Sequence, residues 1–184
     1  EAIRQLGEAY DKAVEIVGAR SASLFEMQAM LLKEGHFREP VEQMIREMRV
    51  CAEYAVASQG RKLARACQQL TDERERRTEA DIRDISKRLL ALLSGQGYAS
   101  PIGQEPVILM AREISPGELL QMERSLVLSL VTEVGMADSH TAILAAAMQI
   151  PFVAGIPFRS GWSGKTAVVD GRLGEVIVEP DEDQ

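Results

Sequence analysis

The sequence predicts two parts, an all-α helical bundle over residues 1–95 and an α/β domain over residues 96–184. Through the first part, apolar residues recur at steps of three and four positions, which is typical of amphipathic helices. After residue 95 the pattern changes to short aliphatic runs separated by glycine and proline. Strands that alternate with helices in this way indicate a compact α/β domain.

Glycine and proline residues divide the first part into five predicted helices. A glycine after an apolar-periodic stretch commonly ends a helix, and a proline fits the first helical turn. The predicted boundaries are a first helix through Val17, a second from Ser21 to Gly35, a third from Pro40 to Ala57, a fourth to Leu70 and a fifth from Thr78 to Gly95. Helices of this length with short breaks are typical of an antiparallel bundle.

The second part begins with a linker and continues as short strands and helices. The predicted linker residues are Gly97, Ser100, Pro101 and Gly103. A capped helix is expected to start at Ser115. Strands are expected over residues 107–110, 125–132, 152–155, 166–171 and 174–179.

Composition narrows the classes of partner. The chain has 184 residues and a net charge of −7, which argues against nucleic acid and anionic membrane surfaces as partners. It contains no apolar run of membrane-spanning length. The two cysteines, Cys51 and Cys67, lack metal-ligand spacing and are expected to be reduced thiols. We therefore expect a cytoplasmic protein that holds no metal.

One short motif, residues 135–144, places His140 where a turn meets an apolar, alanine-rich helix. The first amides of a helix and the positive end of its dipole favour an anion, so a histidine there can carry a phosphoryl group. On spacing alone, an ordinary helix start capped by Asp138 or Ser139 beside an incidental histidine is equally compatible.

This motif resembles the phosphohistidine motif of the phosphoenolpyruvate-utilising enzymes. That motif is roughly Gly-Gly-x-x-Ser-His-[ST]-[AS]-Ile-x-Ala-Arg, followed by Ile/Leu-Pro-x-x-x-Gly. Met136 stands where the second glycine is usual, and Ala146 stands where the arginine is usual. Methionine adopts positive φ less readily than glycine, and alanine cannot pair with a phosphate. The matching residues are Gly135, Ser139, His140, Thr141, Ala142, Ile143, Ala145, Pro151 and Gly155.

The helical part carries a second resemblance. Residues 81–90 (DIRDISKRLL) resemble the helix that ends the helical subdomain of enzyme I of the bacterial sugar phosphotransferase system. Residues 24–32 (LFEMQAMLL) resemble that family's segment bearing the docking face for the phosphocarrier HPr. The resemblance implies an α/β swivelling phosphohistidine domain preceded by an all-α HPr-binding subdomain. It also implies an opening strand segment before Glu1, and a domain after Gln184 that would bind phosphoenolpyruvate and Mg²⁺.

The resemblance implies a role for each matched residue. His140 would accept the phosphoryl group, on the ring nitrogen remote from the backbone. Hydroxyls of Ser139 or Thr141 and the amides of residues 141–143 would hold the phosphate, in the turn shaped by Gly135. Asp138 would orient the ring or, as we favour, cap the helix. In the helical part, Met30 and Leu31 would face HPr. Gln28, which stands where the family often has a histidine, would be a third partner-binding residue.

The resemblance leaves the type of protein open. The departures at Met136 and Ala146 are compatible with a docking module that binds HPr without phosphotransfer. A nitrogen-related enzyme I with a different carrier is a second alternative. A third is the enzyme I-like C-terminal domain of the phosphotransferase subunit that serves dihydroxyacetone kinase, which would add dihydroxyacetone kinase subunits as partners.

Overall fold

A computed structural model describes residues 1–68, 73–95, 102–157, 159 and 161–181. The chain forms two compact units, Glu1–Ala99 and Ser100–Gln184. Leu70 and three of the predicted linker residues, Gly97, Ser100 and Pro101, lie outside the described residues. The boundary predicted between residues 95 and 96 therefore stays a prediction. Among the described residues, no helix has both the length and the apolar character that crossing a membrane requires.

Five helices make up the described part of the first unit, which we call the helical unit. They are α1 (Ala2–Val17), α2 (Ala19–Lys33), α3 (Arg38–Met48), α4 (Ala52–Gln68) and α5 (Glu73–Leu93). Helix α1 packs against α2, and α4 packs against both α3 and α5. Neighbours in sequence are thus neighbours in space, as in a bundle with short connections.

One buried apolar cluster of the helical unit lies where α3, α4 and α5 meet. Its buried members are Phe37, Val41, Ala55, Val56 and Ile85. Partly buried side chains from α2, including Leu31, pack against this cluster. Burial of each large apolar side chain stabilises the fold by about 1.5–3 kcal/mol, so this cluster is a main source of the unit's stability.

The third helix is shorter than predicted. It ends at Met48 rather than running to Ala57, because Arg49 has a left-handed backbone (φ 53°, ψ 38°). This conformation costs an L-residue roughly 1–2 kcal/mol, so packing on either side of the break must offset it. Helix α5 starts at Glu73, earlier than the Thr78 predicted.

The second unit, which we call the α/β unit, contains the five predicted strands. Its elements are β1 (Val107–Ala111), α6 (Pro116–Gln121), β2 (Val127–Thr132), α7 (His140–Ala147), β3 (Phe152–Ala154), β4 (Ala167–Asp170) and β5 (Glu175–Val178). Strands β1, β2 and β3 form a parallel sheet with β2 in the centre, and β4 pairs with β5 in an antiparallel hairpin. A 3₁₀ turn, Arg124–Leu126, leads into β2, so this strand starts at Val127 and not at residue 125 as predicted.

The start of α6 confirms the predicted cap. The Ser115 hydroxyl accepts a hydrogen bond from the Glu118 N–H (3.2 Å), and the Glu118 carboxylate accepts one from the Ser115 N–H (2.7 Å). Pro116 occupies the first helical turn. This reciprocal pair satisfies two amides that the helix itself leaves without partners.

Strand β2 is the most buried element of the α/β unit. Val127, Leu130 and Val131 have no exposed surface, and Leu119 and Leu120 of α6 are equally buried. A central strand that is paired on both sides and covered by apolar side chains is held firmly in place. The end of β2 is therefore a fixed point from which the following turn begins.

Helices α4 and α5 approach closely at Gly60. A Cβ atom at this position would overlap the Ser86 hydroxyl and lie 3.0 Å from the Ser86 Cβ. Ser86 cannot easily turn away, because its hydroxyl donates a hydrogen bond to the Ile82 carbonyl (2.7 Å). Gly60 is thus required by the packing of the two helices.

We expect Gly60→Ala to lower the free energy of unfolding by roughly 1–3 kcal/mol, since overpacking outweighs alanine's better helix propensity. The matched control is Gly7→Ala in α1, where no heavy atom lies within 4 Å of the added Cβ. That variant should gain about 0.5–1 kcal/mol. Urea unfolding followed by far-ultraviolet circular dichroism measures both, and stabilisation by both variants would contradict the close contact.

Candidate active site

His140 lies where the chain passes from β2 into α7. Strand β2 ends at Thr132, and the following turn stays paired to the end of β1. The Glu133 N–H donates to the Ala111 carbonyl (3.2 Å), and the Val134 N–H donates to the Arg112 carbonyl (2.9 Å). This turn therefore lies at the carboxyl edge of the parallel sheet, where open α/β folds commonly bind ligands.

Gly135 shapes the turn through its backbone. Its φ of 144° lies in a region that residues with a side chain rarely adopt. A Cβ there would make only ordinary contacts, 3.4 Å from Thr132 Oγ1 and 3.5 Å from Ala154 Cβ. The conformation, rather than a lack of space, thus requires glycine, and a direct role of Gly135 at the phosphate stays a prediction.

Met136 fits its position without backbone strain. The described non-glycine residues with positive φ are Arg49, Gln149 and Glu179, so Met136 is not one of them. Its carbonyl accepts a hydrogen bond from the Ser139 N–H (3.1 Å), and its side chain is 55% exposed. The second glycine of the motif is therefore not needed here to form the turn.

Ser139 is the N-cap of α7. Its backbone is extended (φ −66°, ψ 155°), and its hydroxyl accepts a hydrogen bond from the Ala142 N–H (3.2 Å). The capping role favoured for Asp138 is therefore wrong, because Asp138 is exposed and precedes the cap. Its alternative role, orienting the histidine ring, stays a prediction.

The Thr141 hydroxyl and two of the three amides predicted to hold the phosphate already have partners within the α/β unit. The Thr141 side chain is buried, and its hydroxyl donates to the Ile114 carbonyl (2.8 Å), so it anchors α7 to the segment after β1. Of the amides of residues 141–143, the Ala142 N–H donates a hydrogen bond to the Ser139 hydroxyl, and the Ile143 N–H donates one to the Ser139 carbonyl (3.0 Å). Only the Thr141 amide of this group has no acceptor within the helix.

His140 itself is the first residue of α7 and is half-buried. An imidazole in this position lies at the positive end of the helix dipole, which stabilises a phosphoryl group on the ring. Within the described ranges, no group of three or more histidine, cysteine or carboxylate side chains is arranged to hold a metal ion. The position of His140 at the start of α7 is thus compatible with the predicted phosphoryl group on its ring.

Arg124 holds the opposite end of α7, a role the sequence did not reveal. Its guanidinium donates to the carbonyls of Met148 and Gln149, the latter at 2.7 Å, and to that of Val127 at 3.1 Å. A cation there stabilises the negative end of the helix. Because its guanidinium is bound to three backbone carbonyls, Arg124 does not replace the arginine missing at Ala146.

The predicted partner-binding residues of α2 do not share one exposed surface. Met30 is 55% exposed, as a docking residue should be. Leu31 is half-buried and packs on the core. Gln28 is only 1% exposed, so its predicted contact with a partner is wrong. Its amide nitrogen instead contacts Asp81 and Asp84 of α5, at 3.3 and 3.4 Å.

Comparisons with known proteins match both units. Residues 1–76 match the N-terminal domain of PEP-utilising enzymes, and residues 103–174 match the mobile domain of PEP-utilising enzymes. An NMR solution structure of Enzyme I (nEIt) is 32% identical, with a TM-score of 0.69 over 99% of this chain and 75% of that one. The chain belongs to the enzyme I family.

Other members of the enzyme I family agree with this assignment. The phosphoenolpyruvate-protein phosphotransferase of Priestia megaterium is 32% identical over 91% of this chain, and that of Geobacillus stearothermophilus is 31% identical over 98%. An N-terminal domain of Enzyme 1 – Nitrogen is 26% identical, with a TM-score of 0.67 over 98% of this chain and 74% of that one. The chain spans about a third of the length of the curated relatives it matches.

The predicted fold class of this enzyme I relative is therefore confirmed. An all-α helical subdomain precedes an α/β phosphohistidine domain, in the order that the two helical segments and the His140 motif indicated. The resemblance rested on short motifs, yet the similarity extends over nearly the whole chain.

The helical unit of this enzyme I relative contains a buried pair of carboxyl groups. Asp81 is 8% and Asp84 is 3% exposed, and both contact the Gln28 amide nitrogen. Burial raises the pKa of Asp81 to about 6, and repulsion from Asp84 adds to this, while the Gln28 hydrogen bond opposes it. Gln28 Oε1 is buried without a hydrogen-bond partner among the described residues, so a proton on Asp81 would supply a donor beside it.

This raised pKa makes the stability of the helical unit depend on pH. Asp81 holds its proton up to about pH 6 when folded, but only below about pH 4 when unfolded. The contribution of Asp81 to the free energy of unfolding should therefore be greatest below pH 4. It should fall by up to about 3 kcal/mol as the pH rises through 6. Urea unfolding at pH 5 and pH 8 should show a smaller difference for Asp81→Asn than for wild type. Asp11→Asn, an exposed position on α1, is the control and should leave the difference unchanged.

The cap of α7 can be tested separately. Ser139→Ala should destabilise the α/β unit by about 1 kcal/mol, since the Ala142 N–H loses its acceptor. Ser139→Asp should retain most of the stability, because aspartate caps equally well and its charge favours a helix N-terminus. The one tryptophan, Trp162, lies in this unit, so its fluorescence during urea unfolding reports on it. Equal losses in both variants would contradict the capping role.

Proposed function

We propose that His140 accepts a phosphoryl group from an HPr-type phosphocarrier and returns it, within a bacterial phosphotransferase system. The observation that supports this most directly is the placement of His140 as the first residue of a capped helix at the carboxyl edge of the parallel sheet. The relatives named phosphoenolpyruvate-protein phosphotransferase support the same chemistry. The catalytic class proposed is thus a phosphotransferase with a phosphohistidine intermediate.

The proposed step is an in-line exchange between two histidines. The unprotonated ring nitrogen of His140, the one remote from the backbone, attacks phosphorus as the phosphorus–nitrogen bond of the carrier breaks. The carrier's ring nitrogen leaves with the bonding electron pair. Each ring keeps the proton on its other nitrogen, so no proton has to move. Catalysis then depends mainly on positioning and on stabilising the charge of the transferred group.

The helical unit would supply the docking face for HPr. Met30 supports this proposal, because it presents an exposed methionine on α2, and Met27 is similarly exposed (50%). Flexible, polarizable methionine side chains suit protein contact surfaces. Phosphoenolpyruvate and Mg²⁺ would bind to a part of the enzyme other than these 184 residues.

A docking module without phosphotransfer is the second candidate. The observation that favours it is Ala146, which is exposed on α7 where the family motif has an arginine. A guanidinium is the natural bidentate partner for a phosphate, and its loss removes stabilisation of the transferred group. On this proposal HPr would still bind, and His140 would stay unmodified.

The two remaining alternatives differ from HPr-dependent transfer in the carrier that donates the phosphoryl group or in the protein that finally accepts it. A nitrogen-related enzyme I would accept phosphoryl groups from the nitrogen-related carrier in preference to HPr. A phosphotransferase subunit of dihydroxyacetone kinase would pass them on to dihydroxyacetone kinase subunits. Parallel reactions with each carrier, and with dihydroxyacetone kinase subunits added, distinguish these proposals by the rate of phosphoryl gain and loss.

We expect the purified chain to gain the mass of one phosphoryl group when incubated with phosphoenolpyruvate, intact enzyme I and HPr. The gain should be lost on brief acid treatment, because phosphohistidine is acid-labile. His140→Ala should abolish it, whereas His36→Ala should retain it, since His36 is the other histidine of the chain and is exposed on the helical unit. Intact-mass spectrometry measures all three proteins.

No gain in the wild type, with HPr still bound in a pull-down, would favour the docking module instead. A gain that survives His140→Ala would contradict the assignment of His140.

A further inference from the structure

Helix α4 carries three cations on the side that faces solvent. At 3.6 residues per turn, Tyr54, Ser58, Arg61, Lys62 and Arg65 fall on one side of this helix. The three cations are exposed, and Tyr54 is 50% exposed. We call these five residues the α4 surface. The buried residues on the opposite side of the helix are Ala55, Val56, Gln59 and Ala64.

The cations of the α4 surface lack the carboxylate partners that cations on neighbouring helices have. Arg46 of α3 and Arg83 of α5 each pair with a glutamate four residues earlier on the same helix. None of the ion pairs among the described residues involves a cation of the α4 surface. The chain has 28 acidic residues, but none occurs over residues 54–71. Arg61 and Arg65 are instead like charges at a spacing of four, which weakens a helix. Stability of α4 therefore does not explain them.

The shape of the α4 surface favours a protein over a small anion as its ligand. Its cations, together with Ser58 and Ala66, line an open hollow of about 370 Å³, a volume that would admit a small molecule. All of these lining residues belong to α4, however. A small ligand usually has roughly 70–90% of its surface buried, which one side of one helix does not provide. From Tyr54 to Arg65 the surface extends about 16 Å, the length of about five residues of extended chain.

The charge of the whole chain narrows the kind of protein. The net charge is −7, so an acidic partner is repelled by the molecule as a whole and attracted locally by the α4 surface. Such local complementarity fixes the orientation in which two proteins meet. The same net charge opposes nucleic acid and anionic membranes. Arginine and tyrosine are also the side chains that protein interfaces favour, and a guanidinium binds a carboxylate through two parallel hydrogen bonds.

We propose that the α4 surface is a docking site for a partner protein that presents a carboxylate-rich segment. Arg61 and Arg65 bind carboxylates of the partner, and Lys62 adds a less directed charge. Tyr54 adds apolar contact area at one end. The inference goes beyond the proposed function, because the residues proposed to face HPr belong to α2 and not to α4.

The experiment measures binding of a fluorescein-labelled octaglutamate peptide by fluorescence anisotropy at low salt. Arg61→Gln/Arg65→Gln should raise the Kd by about tenfold, since two charge-assisted contacts are lost. The matched control is Arg38→Gln/Arg46→Gln on α3, which removes the same charge from two exposed arginines that pair with Glu42. It should change the Kd by less than about twofold. Failure of the wild type to bind the peptide, or an equal effect of the two variants, would overturn the proposal.

Urea unfolding followed by far-ultraviolet circular dichroism excludes a purely structural role for the two arginines. Glutamine is as good a helix former as arginine, and the replacement removes the repulsion between positions 61 and 65. Arg61→Gln/Arg65→Gln should therefore unfold at the same or a slightly higher urea concentration than wild type. A lower midpoint would mean that the cations stabilise the fold, contrary to the proposal.

Four further measurements test other ligands of the α4 surface. Release of the peptide by inorganic phosphate, at an ionic strength where sodium chloride leaves it bound, would indicate a small-anion site. Tighter binding of phosphatidylserine vesicles than of the peptide would indicate a membrane. A dimer seen by sedimentation in wild type and lost in Arg61→Gln/Arg65→Gln would indicate a second copy. A higher half-saturating HPr concentration for phosphoryl gain in that variant would assign the surface to the carrier. Each of these results would contradict an acidic protein partner.

The peptide titration is independent of phosphotransfer. A wild type that binds the peptide but gains no phosphoryl group would retain this inference and contradict the proposed function. A wild type that gains the phosphoryl group but does not bind the peptide would do the reverse.

Discussion

The parallel pairing of β1, β2 and β3 is the constraint on which the position of His140 depends. Because parallel strands end at the same edge, the chain leaves β2 at a point already defined by its neighbours. Gly135 then turns the backbone, and the Ser139 cap starts α7. The end of β2, the turn at Gly135 and the start of α7 are each determined by backbone geometry or by a local hydrogen bond. The location of the histidine is therefore set by the framework and not by its own side chain.

Helix α7 is fixed at both ends by groups from elsewhere in the unit. Thr141 holds its first turn to the Ile114 carbonyl, and Arg124 holds its last carbonyls. A helix of eight residues has little stability of its own, so these contacts and the burial of one side keep it formed. They also keep the dipole directed at His140, which is the electrostatic basis of the proposed chemistry.

Local signals in the sequence were sufficient for most elements but not for all boundaries or roles. The helix cap at Ser115 and the aliphatic strands depend on residues that are close together in the sequence, and both were predicted correctly. The break at Arg49 has neither glycine nor proline and depends on packing across helices, so the sequence showed no sign of it. Likewise, Thr141 and Gln28 have partners 27 residues and more than 50 residues away. Such roles depend on the tertiary fold, and motif matching assigned them to the phosphate and to HPr instead.

Neither departure from the motif prevents the turn or α7 from forming. The turn forms with Met136 in it, and α7 keeps its cap, its anchor at Ile114 and its buried side with Ala146 on the exposed one. What differs from the motif is polarity, because a methionine stands in place of a glycine and an alanine in place of an arginine. The interaction of His140 with the helix dipole depends on neither side chain, because the dipole arises from the backbone of α7. The placement of His140 therefore remains the basis of the proposed phosphotransfer, whereas the missing arginine remains the basis of the docking alternative.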